Sequence, residues 1–350
     1  MTTTKSSREP VTAVTVRVPA KLNLQLSVGP LREDGYHDLV TVFHAVSLYD
    51  EVTVSPADRT SVEVSGEGGP AVPLGPANLA VRAAVGLARA IGKRARRGSG
   101  TTGGWGGAGG SGVAIMIRKR IPVAAGMAGG SADAAAALVA CNELWQAGLS
   151  VARLGEIGAK IGSDVPFALT GGTAVGLGRG ERLTRALASG TYHWVLAFGA
   201  GGLATPDVYA ACDRLRAARQ EEPPGLVGGP FGYGGAGPGG AVGEPRLDAA
   251  LMSALRSGDP AAVGRRLSND LQSAAISLKP VLRRTLAAGR EFGALGGIVS
   301  GSGPTCAFLA GGAEQAKELA LALSGAGVCR AVAQVTGPVP GATVIASGGW

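Results

Sequence analysis

Near its start the chain alternates apolar and polar residues with the two-residue period of a strand. Val11–Val18 reads Val-Thr-Ala-Val-Thr-Val-Arg-Val, and β-branched residues at that spacing predict a strand. One or two more strands are predicted over Val40–Val54, and another over Ser61–Val64. The period then changes. Leu79, Val81, Val85, Leu87 and Ala88 share one face of a helix predicted over Asn78–Ile91. Val113–Ile117 is a short apolar strand, and Pro122 ends that stretch. Ser131–Gln146 is rich in Ala and Leu and predicts a firm helix, Leu154–Ile161 a second one, and Gly162–Pro166 a loop. Gly172–Leu177 and His193–Phe198 read as strands. Helices are predicted over Pro206–Gln220, Leu247–Arg256, Pro260–Ala275 and Pro280–Glu291. A strand, a helix and a strand then close the chain at Gly297–Leu309, Ala313–Leu323 and Val328–Gln334.

The chain is long enough, at 350 residues, for two packed domains and a cleft between them. The boundary is expected near Gly190–Gly202. That gives an N-terminal domain at 11–195 and a C-terminal domain at 196–340, with tails at 1–10 and 341–350. Glycine accounts for 59 residues, far above the usual roughly 7%. Many sit in two tracts, Gly98–Gly112 and Gly225–Gly243. The first is expected as a linker or hairpin tip, and the second as an insertion at about 220–246.

A net charge of +8 suits an anionic partner: a nucleotide, a nucleic acid or a membrane surface. The dense basic run Lys93, Arg94, Arg96, Arg97 opens into a glycine tract and reads as a solvated loop. No basic helix or interleaved aromatic stripe supports nucleic-acid binding. Four cysteines stand far apart with no CxxC pair, as expected of reduced thiols. Met1–Pro10 lacks the apolar stretch of a signal peptide, and no run approaches the ~20 apolar residues of a membrane span. A cytoplasmic location is expected, with no membrane partner.

Candidate chemistry begins at Pro122-Val-Ala-Ala-Gly-Met-Ala-Gly-Gly-Ser131, which runs straight into a predicted helix. Gly126, Gly129 and Gly130 allow close approach of a ligand to the backbone. The helix N-terminus offers unpaired N–H groups and roughly half a positive charge, so together they form a phosphate cradle. A structural turn capped by Ser131 is the other reading. The spacing fits neither GxxxxGK[ST] nor GxGxxG.

Three further segments accompany this loop. Pro19-Ala-Lys-Leu-Asn-Leu-Gln-Leu26 and Arg32-Glu-Asp-Gly-Tyr-His-Asp-Leu39 precede it, and Ile298-Val-Ser-Gly-Ser-Gly-Pro-Thr305 follows near the C-terminus. In this order the segments resemble the three motifs of the GHMP kinases, over about Val14 to Gln334 with the glycine tracts left out. The resemblance implies an α+β, two-domain fold with the active-site cleft between the domains. The Asp-Gly-Tyr-His run, Gly162-Ser-Asp-Val-Pro-Phe167 and Ala204-Thr-Pro-Asp-Val-Tyr209 are similar to the branch acting on a cytidyl-linked methylerythritol. ATP is then the phosphoryl donor and the 2-hydroxyl of that substrate the acceptor, in the non-mevalonate isoprenoid route.

Residue by residue, the resemblance implies roles that the residues themselves permit. Lys21 could merely snorkel, but phosphoryl transfer needs a cation near the transferred group. Asp164 could be a turn former or cap, or a carboxylate that orients the hydroxyl and accepts its proton. The family uses these two as its catalytic pair. Pro122, Val123, Ala124, Ala125, Gly126, Met127, Ala128, Gly129, Gly130, Ser131 and Ala132 would bind ATP, with Asn78 and Lys119 flanking the nucleotide. Asn23, Tyr36, His37, Thr205 and Tyr209 would bind the substrate. Tyr36 and Tyr209 would stack on the cytosine and His37 would read its polar edge. Gly301-Ser302-Gly303 would donate N–H groups to anionic oxygens or support the first loop. His44 and His193, in strand-like runs, are expected to be structural. Mg²⁺ should bridge the ATP phosphates; the sequence assigns no metal ligand, and Ser131 and water are the expected contacts. The competing readings are a GHMP kinase for mevalonate, homoserine or a sugar, a silent nucleotide-binding protein on the same fold, and a basic nucleic-acid-binding module.

Overall fold

The computed structural model describes residues 13–92, 96–97, 105–106, 112–221 and 243–347. The tail at 1–10 and most of both glycine tracts lie outside the described residues. The chain opens with two long strands, β1 (Val14–Leu31) and β2 (His37–Ala57), then β3 (Ser61–Gly66) and α1 (Leu79–Ala90). Two short strands, β4 (Arg96–Arg97) and β5 (Trp105–Gly106), pair with each other before β6 (Gly112–Lys119). There follow α2 (Gly129–Leu144), α3 (Val151–Ala159), α4 (Val165–Thr170), β7 (Thr173–Gly178) and β8 (Arg182–Arg185). The second half begins with β9 (Tyr192–Phe198), α5 (Thr205–Glu221), α6 (Ala249–Ser257), α7 (Pro260–Gly264), β10 (Ser268–Asn269) and α8 (Gln272–Leu278). It ends with α9 (Val281–Glu291), β11 (Gly296–Val299), β12 (Cys306–Ala310), α10 (Ala313–Gly325), β13 (Ala331–Gly337) and β14 (Thr343–Ser347).

The first sheet has the order β10-β1-β2-β6-β3, with β14 on β1, β7 on β2 and β8 on β7. The second is antiparallel, β11-β12-β9-β13. Alternation along β9 splits the latter between two cores. Trp194, Leu196 and Phe198 bury into the core under the first sheet. Val195 and Ala197 face a second core shared with Phe308, Leu319 and Leu323. Four helices start where the sequence supplies a cap: the side chains of Asn78, Ser150, Asp248 and Asp259 each accept one or two backbone N–H groups of the first turn, worth about 0.5–2 kcal/mol apiece.

Several elements depart from the sequence reading. The first strand runs on past Val18 to Leu31, because Lys-Leu-Asn-Leu-Gln-Leu-Ser-Val continues the alternation. Pro260–Ala275 is not one helix. Gly264 lies so close to the next layer that a Cβ there would sit 2.4 Å from the Leu295 carbonyl oxygen. Beyond it the chain straightens, and Ser268–Asn269 pairs in parallel with Gln25 and Leu26. Gly297–Leu309 is likewise two strands, β11 and β12, joined by a loop that Ser300 N–H closes onto the Thr305 carbonyl at 2.9 Å. Thr343–Ser347, expected as tail, pairs antiparallel with Val14–Arg17.

Candidate active site

Strand alternation sets the floor of the site. Ala20, Leu22 and Leu24 of β1 are buried in the first core, each large side chain contributing roughly 1.5–3 kcal/mol. A one-residue slip would expose all of them, so the register is fixed and Lys21 and Asn23 must face the other way. There they line a cleft of about 1240 Å³ together with Thr41 and Phe43 of β2. Lys21 Nζ donates to Asn23 Oδ1 (2.5 Å), Asn23 Nδ2 donates to Thr41 Oγ1 (2.8 Å), and the Thr41 hydroxyl donates to the Gln25 carbonyl (2.7 Å). This chain holds the ammonium in one place. Burial lowers the Lys21 pKa, and the charge of Asp164 opposes that shift.

Asp164 stands at the start of α4, but its side chain makes no capping bond. The cap reading of this residue is therefore set aside: its carboxylate faces the cleft, electrostatically coupled to Lys21. The loop from Pro122 lines the cleft beside them, the Lys21 N–H donating to the Met127 carbonyl at 3.4 Å. Ala124, Gly126 and Ala128 all adopt positive φ, at 51°, 74° and 59°, a conformation that costs a non-glycine residue of order 1–3 kcal/mol. The surroundings hold it there. Met127 is buried in the core, and the Ser300 hydroxyl donates to the Gly126 carbonyl at 3.1 Å. Of the two roles the sequence allows the Gly301–Gly303 segment, support of the first loop is visible.

The helix after this loop begins two residues earlier than expected. Its first turn closes with Ala132 N–H on the Ala128 carbonyl (2.9 Å), and Ala128 occupies the cap position without a side-chain bond. Ser131 is thus inside the helix and not its cap. Two glycines enter the first turn because the left-handed Ala128 turns the chain into the helix early. The N–H groups of Gly129, Gly130 and Ser131 precede that first bond and line the cleft, as an anion site requires.

The two flanking residues have evident structural partners. Asn78 caps α1 and donates to the Pro73 carbonyl at 2.9 Å. Lys119 Nζ donates to Asp50 (2.5 Å) and Asp133 (2.7 Å), and Asp50 also accepts the N–H groups of Arg120 and Ile121. Both residues line the cleft, while this triad anchors the chain just before the loop from Pro122. Burial pushes the Asp133 carboxyl up to about 8, against the pull of Lys119. A carboxyl raised above its unfolded value of 3.8 stabilises the fold at low pH, and that contribution is lost as pH climbs through about 8. Asp133→Asn removes the dependence. Its melting temperature relative to the parent should therefore increase between pH 5 and 9 (endpoints chosen around about 4 and 8). A difference that stays flat, measured by calorimetry, would rule this out.

At the far end of the cleft, Tyr36 is 52% exposed on the rim and His37 is buried. The Arg179 guanidinium lies 4.8 Å from the Tyr36 ring centroid. The His37 and Tyr209 rings are 5.1 Å apart, tilted by 30°, and burial raises the Tyr209 hydroxyl pKa. Thr205 Oγ1 is 3.0 Å from Ser302 Oγ, joining the start of α5 to the third motif. The cleft so gathers every expected site residue except two: Met127 and Ala132 are buried in the core instead. Thr41, Arg179 and Asp213 line it as well and were not anticipated; the alternation of β2 could have found Thr41. His44 is buried, bonded to Thr173 Oγ1 at 2.9 Å, with its pKa lowered to about 3 by burial. It is structural, as expected.

Comparisons with known proteins agree with this architecture. Residues 78–172 match the family model described as GHMP kinases N terminal domain, and residues 251–329 that described as GHMP kinases C terminal. The chain is 53% identical over 332 residues to the 4-diphosphocytidyl-2-C-methyl-D-erythritol kinase of Nocardia farcinica, covering 95% of this chain and 96% of that one. To the enzyme of the same name from Mycobacterium tuberculosis it is 51% identical over 338 residues, 97% and 95% of the two chains. A crystal structure of 4-(cytidine 5'-diphospho)-2C-methyl-D-erythritol kinase superposes with a TM-score of 0.63 at 32% identity, over 92% of this chain and 98% of that one. An L. major mevalonate kinase in complex with R-mevalonate shares the fold, with a TM-score of 0.62 at 14% identity over 96% and 98% of the chains.

Proposed function

The chain belongs to the GHMP kinases, and within them to the 4-diphosphocytidyl-2-C-methyl-D-erythritol kinases; from that premise we propose how its cleft moves a phosphoryl group from ATP to the substrate's 2-hydroxyl. The observation that carries the proposal is the meeting, in one cleft, of Lys21 and Asp164 with the N-terminus of α2 and its loop.

Asp164 orients the attacking hydroxyl and accepts its proton as the new O–P bond forms. Lys21, held by Asn23, stabilises the charge gathering on the transferred group. The N–H groups of Gly129, Gly130 and Ser131 cradle the ATP phosphates. Mg²⁺, when bound, neutralises phosphate charge. Among the described residues no group of three or more His, Cys, Asp or Glu side chains gathers for a metal. The residues present fit an ion held mainly by the nucleotide, with the Ser131 hydroxyl, which lines the cleft, as the protein donor and water completing its shell. Among the described residues no helix is long and apolar enough to cross a membrane.

The domain division proposed is 11–195 and 196–340, the cleft lying between them. Tyr36, His37 and Tyr209 form the cytosine site, with Asn23 and Thr205 nearer the reacting end. A coupled ADP-release assay tests the substrate: turnover is expected with the cytidyl-methylerythritol and not with mevalonate or homoserine. Tyr36→Ala should raise the KM for the cytidyl substrate roughly 5–150-fold, the range of one lost base–aromatic stack, with the KM for ATP nearly unchanged. Equal losses for both substrates would instead mean a collapsed cleft, and an unchanged cytidyl KM would move the base site elsewhere.

A further inference from the structure

His37 Nε2 lies 3.0 Å from Asp213 Oδ1. The two residues come from opposite halves of the molecule, His37 from the first residue of β2 and Asp213 from α5. Asp213 follows Tyr209 by four residues, so both side chains leave the helix on one face and both meet His37. The carboxylate is accessible over 36% of its side chain while the imidazole is 5% accessible. Both line the cleft. His37 Nδ1 has no hydrogen-bond partner among the described residues, yet it is not among the enclosed, unsatisfied polar atoms. It therefore opens on the cleft.

We propose that Asp213 is a positioning residue that sets base specificity by fixing the tautomer of His37. A carboxylate only accepts hydrogen bonds. Opposite it, Nε2 must carry the hydrogen, and the neutral ring then presents a bare lone pair at Nδ1. A lone pair facing the base edge accepts from the exocyclic amine of cytosine, whose N4 is a donor. Uracil carries a carbonyl oxygen at that position, and two acceptors would face each other. His37 without Asp213 could adopt the other tautomer and accommodate either base. This inference rests on the reading of Tyr36, His37 and Tyr209 as the base site.

The tautomer can be observed without any substrate. The chain has 3 histidines, so the ring ¹⁵N resonances of His37 are assigned by their loss in His37→Gln. The parent protein should give the Nε2–H pattern, and Asp213→Leu a mixture of the two tautomers. In parallel, kcat/KM is measured for the cytidyl substrate and its uridyl analogue. Asp213→Leu should lower the cytidyl-over-uridyl ratio by roughly tenfold, the scale of one mismatched buried hydrogen bond, with the KM for ATP unmoved. Asp213→Asn should restore part of that ratio, since its amide oxygen can still accept from Nε2–H. An Nδ1–H pattern in the parent overturns the proposal, as does a ratio unchanged in Asp213→Leu. The separate failure, in which Tyr36→Ala leaves the cytidyl KM untouched, would remove the base site while the tautomer result still stood.

Discussion

Asp164→Asn is expected to fold like the parent and to lose about 10²–10³-fold in kcat, the lower part of the range for removing a general base. The lower part applies because a dissociative phosphoryl transfer draws less on the base. Folding should survive because the carboxylate makes no cap bond at the start of α4. A second effect follows from its charge. Burial lowers the Lys21 pKa and Asp164 opposes the shift. An amide at 164 ends that opposition, so the alkaline limb of the rate profile, where Lys21 loses its proton, should move to lower pH. The two residues act on one charge distribution, and a Lys21→Met, Asp164→Asn double variant should lose less than the product of the single losses. Steady-state ADP release across a pH series measures all of this. Activity within about threefold of the parent, well short of the general-base range, with an unmoved alkaline limb, would remove Asp164 from the reaction.

Gly126→Ala should be as damaging by a different route. The added Cβ would sit 2.0 Å from the Ser300 carbonyl oxygen and 2.8 Å from the Gly303 nitrogen, at a φ of +74°. Both neighbours are backbone, so neither can swing aside. The phosphate loop must shift or the third motif must retreat, and misplacing a reacting group by an ångström costs about 10²-fold. The loss should appear in kcat/KM for ATP and be accompanied by a lower melting temperature. Gly129→Ala is the control. There the nearest atoms are Ile121 Cγ2 at 3.2 Å and Lys119 Nζ at 3.3 Å, both side-chain atoms that need shift only a few tenths of an ångström, and φ is not in the left-handed region, so the effect should be smaller. If Gly126→Ala retained parental turnover, the packing of the two glycine segments would have no part in holding the loop.

The residues proposed to carry the chemistry were legible in the sequence because each motif is local. Three separated segments suggested one cleft, and Lys21, Asp164, His37 and the loop after Pro122 do line it together. What was not legible depends on contacts between distant segments. Nothing near Ser131 signals that Ala128 adopts a left-handed turn, since that conformation is held by the buried Met127 and by Ser300, far along the chain. The break in the helix expected over Pro260–Ala275 likewise comes from Gly264 meeting Leu295 and from the pull of β1 on Ser268–Asn269. Asp213 could not be singled out either. Its partner is 176 positions away, and a lone acidic residue on a helix has no signature of its own.

The pairing of β14 with the start of β1 has a consequence for how the chain is made. Val14–Arg17 is bounded on one side by β2 and on the other by Thr343–Ser347. That stretch of β1 therefore keeps an open edge until Thr343–Ser347, far along the chain, has been synthesised. The middle of β1 also waits on one side, since Gln25 and Leu26 pair with β2 along one edge and meet Ser268 and Asn269 along the other. Domains generally fold in order of synthesis, but here the first sheet cannot finish before the second has been laid down. A nascent chain halted at residue 195 would present that bare ladder to its neighbours, a surface suited to edge-to-edge association.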